Sequence, residues 1–269
     1  MNKPISSTLI ISTYNWHEAL ELVLMSVKNQ EEYPAEVIIA DDGSTIKTQE
    51  TVARFQDKFP VPLVHVWHKD DGFTKAIILN KAIAKAKGDY IIQADGDCIL
   101  HPAFVKDHLN FAEENTYLYG SRVNIQENHL EKLFGKKQVR FSAFSQGIKK
   151  RTRALYIPFL GNFYKKKNAF SKKYRGCNTS YFKKDFIAVN GYNEEFKGWG
   201  REDSELALRF HNYGIASRRL RYGGIVYHIY HKEKPKDGLH KNNKIEQTTI
   251  DKKVVWCKNG IDKYLSEKS

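Results

Sequence analysis

Blocks of apolar and polar residues alternate along the first 125 positions in two different rhythms. Thr8-Leu9-Ile10-Ile11-Ser12, Glu36-Val37-Ile38-Ile39-Ala40 and Leu63-Val64-His65-Val66-Trp67 are short apolar runs closed by polar turns, the pattern of strands buried on both faces. Between them the apolar positions spread to helical spacing. Leu20, Val23, Leu24 and Val27 fall at i, i+3, i+4 and i+7 in a helix predicted to end near Gln30, with Asn15 placed to cap it. A second helix is predicted around residues 49–58 and a third over 75–87, with Ala76, Leu79, Ile83 and Ala86 on one face and Gly88 at its end. Tyr90 to Leu100 reads as a further strand carrying Asp95-Gly96-Asp97, followed by a helix over 102–115 and a strand over 117–123. Strand and helix in alternation imply right-handed βαβ units and a mostly parallel central sheet flanked by helices.

Beyond Asn124 the alternation stops. Order resumes at Gly176–Phe182, then a tight turn at Val189-Asn190-Gly191-Tyr192, a helix over 203–212 with Leu206, Ala207 and Phe210 inward, a last strand over 225–231, and a helix near 245–256 closed by Gly260. The gap is where charge matters. The chain carries a formal +13, and residues 130–175 alone hold 14 Lys or Arg against one acid, Glu131, so the other residues sum to zero. Lys149-Lys150-Arg151 and Lys165-Lys166-Lys167 flank the apolar piece Ala154–Phe163. Such a segment should meet an anion. Two readings stand open: an element lying in a membrane interface, or a basic helix packed on the domain with its charges in water. No nucleic-acid recognition motif accompanies the charge.

The 269 residues, 41% of them hydrophobic, suffice for one large or two small domains. No run of 18 apolar residues occurs, and the start MNKPISSTLIISTYN lacks a leader's long apolar region. The protein is therefore expected in the cytoplasm. Cys98, Cys177 and Cys257 are too dispersed for a zinc pattern and need no disulfide.

The candidate chemistry sits at strand and helix ends. Two carboxylates separated by a glycine at the carboxyl end of a buried strand call for a cation, and oxygen ligands there suit Mg²⁺ or Mn²⁺ carrying a diphosphate. Asp41-Asp42-Gly43-Ser44 closes another strand and offers a carboxylate to a base or ribose. In Gly198-Trp199-Gly200-Arg201-Glu202-Asp203, two glycines let the backbone approach a ligand, Trp199 offers a face to a sugar ring, and the acids open a helix whose dipole favours the carboxylate. The last strand ends in an H-x-x-H, His228 to His231.

In order and spacing, Ser12-Thr13-Tyr14-Asn15, Asp41–Ser44, Asp95-Gly96-Asp97 and Gly198–Asp203 resemble the motifs of family 2 glycosyltransferases of the GT-A fold over residues 7–125. The second half resembles the C-terminal region shared by β-1,4-galactosyltransferases, polypeptide N-acetylgalactosaminyltransferases and bacterial capsule and lipopolysaccharide enzymes. The resemblance implies a Rossmann-like α/β fold with a basic aromatic helical insertion. Residues 1–125 would form the nucleotide-sugar half, 126–175 the insertion, and 176–269 the acceptor-binding and catalytic half, all in one integrated domain. It implies that Ser12 and Tyr14 line the uracil site, Tyr14 by stacking, and that Asp42 hydrogen-bonds the base. Asp95 would meet the ribose or position the sugar; Asp97, His231 and His228 would hold Mn²⁺ or Mg²⁺. Trp199 and Glu202 would hold the sugars, Asp203 would be the catalytic base, and Asn178 would face the acceptor. Leu79 stands where the family often has an arginine, which moves a diphosphate contact to Lys75.

The implied activity is metal-dependent, inverting transfer of a hexose or N-acetylhexosamine from a UDP-sugar to a saccharide hydroxyl, in lipopolysaccharide, capsule or other surface-glycan assembly. The acceptor would be a saccharide or lipid-linked saccharide. Residues 130–175 would give peripheral association with the inner face of the cytoplasmic membrane. The motif of processive synthases is absent, which favours one sugar per encounter. The rival reading is a non-catalytic nucleotide- or anionic-glycan-binding module; such a module would be expected to lose its base or a metal ligand, yet Asp97, Asp203 and His231 are all present.

Overall fold

A computed structural model describes residues 5–171, 173–232 and 238–265. The first half runs β1 (Ser7–Thr13), α1 (His17–Lys28), β2 (Glu36–Asp41), α2 (Ile46–Gln56), β3 (Leu63–Trp67), α3 (Lys75–Lys85), β4 (Tyr90–Asp95), β5 (Cys98–Leu100), α4 (Phe104–Asn110), β6 (Thr116–Tyr119) and β7 (Arg122–Ile125). The second runs α5 (Leu130–Gly135), β8 (Ile148–Lys149), α6 (Pro158–Gly161), β9 (Asn178–Phe182), α7 (Lys183–Ala188), α8 (Glu202–Tyr213), β10 (Ala216–Arg219), β11 (Val226–His228), α9 (Leu239–Asp251) and α10 (Asp262–Leu265).

The central sheet has the order β10-β6-β9-β4-β1-β2-β3. Only β9, between β4 and β6, runs against the rest. Side-chain alternation builds the two layers around it. Leu9 and Ile11, Val37 and Ile39, and Tyr90 and Ile92 pack on one face with Leu20, Val23, Leu24 and Val27 of α1. Ile10, Ile38 and Ile91 face the other way, onto Ala76, Leu79 and Ile83 of α3 and onto Leu206 and Phe210 of α8.

Two strands expected as single runs are each broken. Asp95-Gly96-Asp97 ends β4 in the central sheet, and β5 starts in a second sheet of order β5-β11-β7-β8. Likewise the strand expected over 117–123 splits at Gly120-Ser121 into β6 of the central sheet and β7 of the second. A turn within an apolar run leaves the hydrophobic pattern intact, so local periodicity does not register the change of sheet. The second sheet buries Ile99, Val123, Ile148 and Tyr227 against Ala19 and Leu22 on the remaining face of α1.

Some boundaries differ. The helix expected over 102–115 covers only Phe104–Asn110, and the C-terminal helix lies earlier, at Leu239–Asp251. Asn15 does not cap α1: Trp16 holds that position, and Asn15 Oδ1 instead accepts the Thr45 amide at 2.8 Å. The basic segment, expected to be helical, is mostly irregular, with two short helices, one 3-10 turn and β8. Its apolar residues do not recur at helical spacing, and β7 takes up the backbone of Ile148 and Lys149. Its aromatics divide into two groups. Phe134, Phe141 and Tyr156 pack beneath the second sheet, whereas Phe144, Phe159 and Phe163 are 89%, 66% and 76% exposed. Lys172 lies outside the described residues. Among the described residues no helix is long and apolar enough to cross a membrane.

Candidate active site

The carboxyl ends of β1, β2 and β4, the start of α3, the Trp199 loop with the start of α8, and the end of β11 line one cleft of about 1710 Å³. Open α/β sheets place ligands at this end of their strands. Ser12, Tyr14, Asp42, Lys75, Asp95, Asp97, Trp199, Glu202, Asp203, His228 and His231 all line it. Acids more than a hundred residues apart in the chain thus share one space.

One wall is fully bonded. Ser12 Oγ donates to Asp95 Oδ1 at 2.7 Å, and Lys75 Nζ donates to the same oxygen at 2.8 Å. Burial would raise the Asp95 carboxyl, but the Lys75 ammonium outweighs it and holds the group below its ordinary value. Lys75 is conversely held well above its own: burial opposes its charge, and Asp95, then Asp203 and Glu202, more than offset it. The resemblance gives Lys75 a diphosphate; here its ammonium is the counter-ion of three acids, because a buried cation takes a paired carboxylate when one is in reach. Asp42 is similarly engaged. Its carboxylate accepts the Thr74 amide at 2.9 Å, the Thr74 hydroxyl at 2.7 Å and His68 Nε2 at 2.9 Å, which fixes the turn into α3. A base would be a fourth partner on that group. Tyr14 lines the cleft, is 40% exposed, and its hydroxyl donates to Asp70 at 2.9 Å.

The opposite wall is tensioned and less satisfied. Gly198, Gly200 and Arg201 adopt φ of +75°, +104° and +79°, a left-handed run that glycine enters freely and arginine does not. The loop is pinned by α9: Asn242 Nδ2 donates to the carbonyls of Lys197 and Gly200, and Arg201 Nε to Asn243 Oδ1 at 2.7 Å. This presents Trp199, 42% exposed, to the cleft. Asp203 Oδ2 accepts the Gly176 amide at 2.9 Å, while its Oδ1 is buried without a partner. A Cβ at Gly176 would fall 2.2 Å from that oxygen, so glycine is required for the approach. Burial, and the charge of Asp95, hold the Asp203 carboxyl above its ordinary range against Lys75 and the Gly176 amide. Glu202 is pushed up to about 7 by burial and then by Asp203.

The third feature is a cluster of Asp97, His228 and His231, whose ligand atoms lie within 4.8 Å of one another. Asp97 Oδ2 is 3.6 Å from His228 Nε2 and 3.4 Å from His231 Nε2. His231 Nδ1 meets the Lys232 carbonyl at 2.8 Å. A carbonyl only accepts, so that nitrogen carries a proton; in the neutral ring Nε2 then has its lone pair toward Asp97, the arrangement of a metal-binding histidine. Trp16 packs edge-on against the same ring, 6.1 Å between centroids. The residues fit a divalent ion, and a set of two imidazoles and one carboxylate is more congenial to Mn²⁺ than to Mg²⁺, which favours oxygen.

Asn178 does not join the cleft. It is fully buried. Its Nδ2 donates to the carbonyls of Gly224 and Ser121, and its Oδ1 meets His108 Nε2 at 3.2 Å. Burial pushes His108 down to about 3, so it is neutral and bridges Asn178 to Ser180. The amide braces the break between β6 and β7 and the approach to β11, a structural role in place of the expected acceptor contact. Sequence reasoning missed Trp16 and Arg122, both on the cleft; neither stands in a motif.

The fold is that of GT-A glycosyltransferases. The profile of glycosyl transferase family 2 matches residues 8–176, and the chain belongs to that family. A second profile, described as N-terminal domain of galactosyltransferase, matches residues 160–232. Among curated proteins the chain is similar to the chondroitin synthase of Escherichia coli, 26% identical over 239 residues. The match covers 82% of this chain but 34% of that one, so the chain spans about a third of this relative's length. It is also 24% identical to the GalNAc(5)-diNAcBac-PP-undecaprenol beta-1,3-glucosyltransferase of Campylobacter jejuni, over 87% of this chain and 68% of the other. Among solved structures, S. aureus TarS 1-349 in complex with UDP-GlcNAc superposes with a TM-score of 0.61 at 16% identity, covering 98% of this chain and 71% of that one. The mannosyltransferase PcManGT from Pyrobaculum calidifontis, in complex with GDP-Man and Mn²⁺, gives 0.57 at 18% identity, covering 92% and 62%.

Proposed function

We propose that this glycosyltransferase is a metal-dependent, inverting enzyme that moves a hexose or N-acetylhexosamine from a UDP-sugar to a hydroxyl of a saccharide or lipid-linked saccharide, in assembly of a surface glycan. The observation that carries the reading is the shared cleft: Asp97, His228 and His231 on one side, Glu202 and Asp203 on the other, with Trp199 between them in sequence and open to the same space. The UDP complex of a fold neighbour and the Mn²⁺ complex of another are consistent with the donor class and the ion.

In this reading Tyr14 stacks on the base, Ser12 and Asp95 sit by the ribose, and Lys75 keeps Asp95 ionised. Asp97, His228 and His231 hold Mn²⁺ or Mg²⁺, which supplies Lewis-acid stabilisation of the diphosphate leaving group. Trp199 covers the apolar face of a sugar, and Glu202 bonds the acceptor or donor hydroxyls. Asp203, whose side chain lines the cleft, takes the proton of the acceptor hydroxyl. The acceptor oxygen bonds to the anomeric carbon as the bond to the diphosphate breaks, and the nucleoside diphosphate departs with that electron pair. A single displacement inverts the anomeric centre. The raised proton affinity of Asp203 makes it a stronger base than an ordinary aspartate.

The basic segment would hold the enzyme peripherally on an anionic membrane at the cytoplasmic face, where a lipid-linked acceptor is found. The test of the catalytic reading is a UDP-release screen across UDP-sugars with and without Mn²⁺, in the native protein and in Asp203→Asn. Release that needs the ion and disappears in the variant is the expected result; release indifferent to both would end the reading.

A further inference from the structure

The basic residues are not spread evenly around the cleft. Arg122, at the start of β7, and Lys149, on β8, line it. Arg153 Nη1 donates to the Arg122 carbonyl at 3.1 Å. Arg219 Nη2 reaches Ser121 Oγ, the residue before β7, at 3.3 Å. Arg221 follows two residues later, its guanidinium 4.6 Å from the centre of the Tyr222 ring. The Tyr222 carbonyl in turn accepts the Ile157 amide at 3.0 Å, immediately before α6. A cationic track thus runs from the metal-binding side of the cleft to the short helix that carries Phe159.

Three observations set this track apart from ordinary surface charge. Among the described residues, none of Arg122, Arg153, Arg219 and Arg221 has a carboxylate within 4.0 Å, although Lys106, Lys137, Lys166 and Lys184 elsewhere each do. Arg153 is instead acted on by its neighbours: burial first, and then the charges of Arg219, Arg221 and Arg122, hold it below its ordinary value. All four are partly buried, so water compensates them less than it would exposed lysines. Beside the outer end, Phe159 and Phe163 stand exposed with Lys165 next to them.

We propose that Arg153, Arg219 and Arg221, continuing from Arg122, seat the phosphate or diphosphate of a membrane-borne acceptor lipid, with Phe159 and Phe163 entering the apolar layer beside it. The inference rests on the glycosyltransferase reading, and it names the acceptor class for that cleft. Charge complementarity calls for a compact polyanion, since Arg153, Arg219 and Arg221 gather with no carboxylate of the described residues within 4.0 Å, while Arg122, at the inner end, feels the charges of Asp97 and Asp95. The two phenyl rings beside the seat select a lipid over a soluble phosphate, because an element combining basic residues with exposed aromatics partitions into a membrane interface. The saccharide end of such an acceptor would then point along Arg122 to Asp203 and the Asp97 cluster.

The test is flotation of the full chain with vesicles of phosphatidylcholine alone or with phosphatidic acid added, at physiological salt. Binding is expected only with phosphatidic acid. Arg153→Gln/Arg219→Gln/Arg221→Gln should weaken it roughly 100-fold, at about fivefold per basic residue near an anionic surface. Phe159→Ser/Phe163→Ser should also weaken it, with every arginine intact. Should the triple variant melt early, Arg221→Glu alone carries the test. Equal binding to both vesicles, or binding unmoved by the arginine changes, overturns the proposal. So does sodium pyrophosphate binding to the native protein with vesicle binding indifferent to the phenylalanines, which would make the ligand a free phosphate. Mn²⁺-dependent binding of UDP to the native protein, read by calorimetry without vesicles, tests the transferase reading separately: its absence beside intact vesicle binding sinks that reading, and the reverse sinks only the lipid seat.

Discussion

The two walls of the cleft are built on opposite terms. On the β1–β4–α3 side every acid has its cation or hydroxyl: Asp95 holds Ser12 and Lys75, and Asp42 holds Thr74 and His68. On the α8 side one carboxylate oxygen of Asp203 has no partner, Glu202 is pushed up to about 7, and the loop presenting Trp199 runs through three left-handed residues. The first wall is a frame, rigid before anything binds. The second holds reactive groups short of satisfaction and relies on α9 to keep them in place. An unsatisfied buried carboxylate lowers stability and raises proton affinity together, so tolerance of such a group on one wall only points to where proton transfer belongs.

The sharpest way to break the contrast is Asp203→Asn. Turnover should fall by about 10²- to 10⁴-fold, while UDP binding by calorimetry stays close to native; full activity would move the base elsewhere. Next comes Asp97→Asn or His231→Ala, expected to weaken Mn²⁺ binding by at least about 100-fold, read by titration of free Mn²⁺ in electron spin resonance. Undiminished ion binding would dissolve the cluster. Asn178→Ala should act on the frame instead. It removes the Asn178 bonds to the Gly224 and Ser121 carbonyls and to His108 Nε2 and should destabilise the fold by about 2–3 kcal/mol in chemical denaturation, with the KM for acceptor unchanged in the folded fraction. A selective rise in that KM would return Asn178 to the acceptor.

Two smaller effects are electrostatic. Lys75 lowers the proton affinity of Asp203, so Lys75→Met should move the acidic limb of the kcat/KM profile to higher pH, and a limb that stays or falls would refute the coupling. Glu202 carries the opposite sign to a salt-bridged acid. Its folded value, about 7, lies above its ordinary 4.5. The folded state therefore binds the extra proton, and the group's contribution is present below about 4.5 and lost as pH rises through 7. Glu202→Gln should thus stabilise the protein at pH above 7 by up to about 3 kcal/mol, with little difference in acid. Melting curves that part in acid and merge in base would reverse the assignment.

The βαβ half, and the positions of most cleft residues at strand and helix ends, were legible from the sequence. Leu9, Ile10 and Ile11 must alternate between two cores, and α1 and α3 must cover them, because side-chain direction is set by the local backbone. The family, too, was legible from four short motifs in order. Three matters were settled only in three dimensions. Asp95-Gly96-Asp97 parts two sheets, Lys75 is bonded to Asp95, and Asn178 is sealed inside the frame. Each turns on a partner from a distant part of the chain, and periodicity reports only which face a residue takes. What that face meets, and whether a charged or polar group there arrives already paired, is decided when the two halves close on one another.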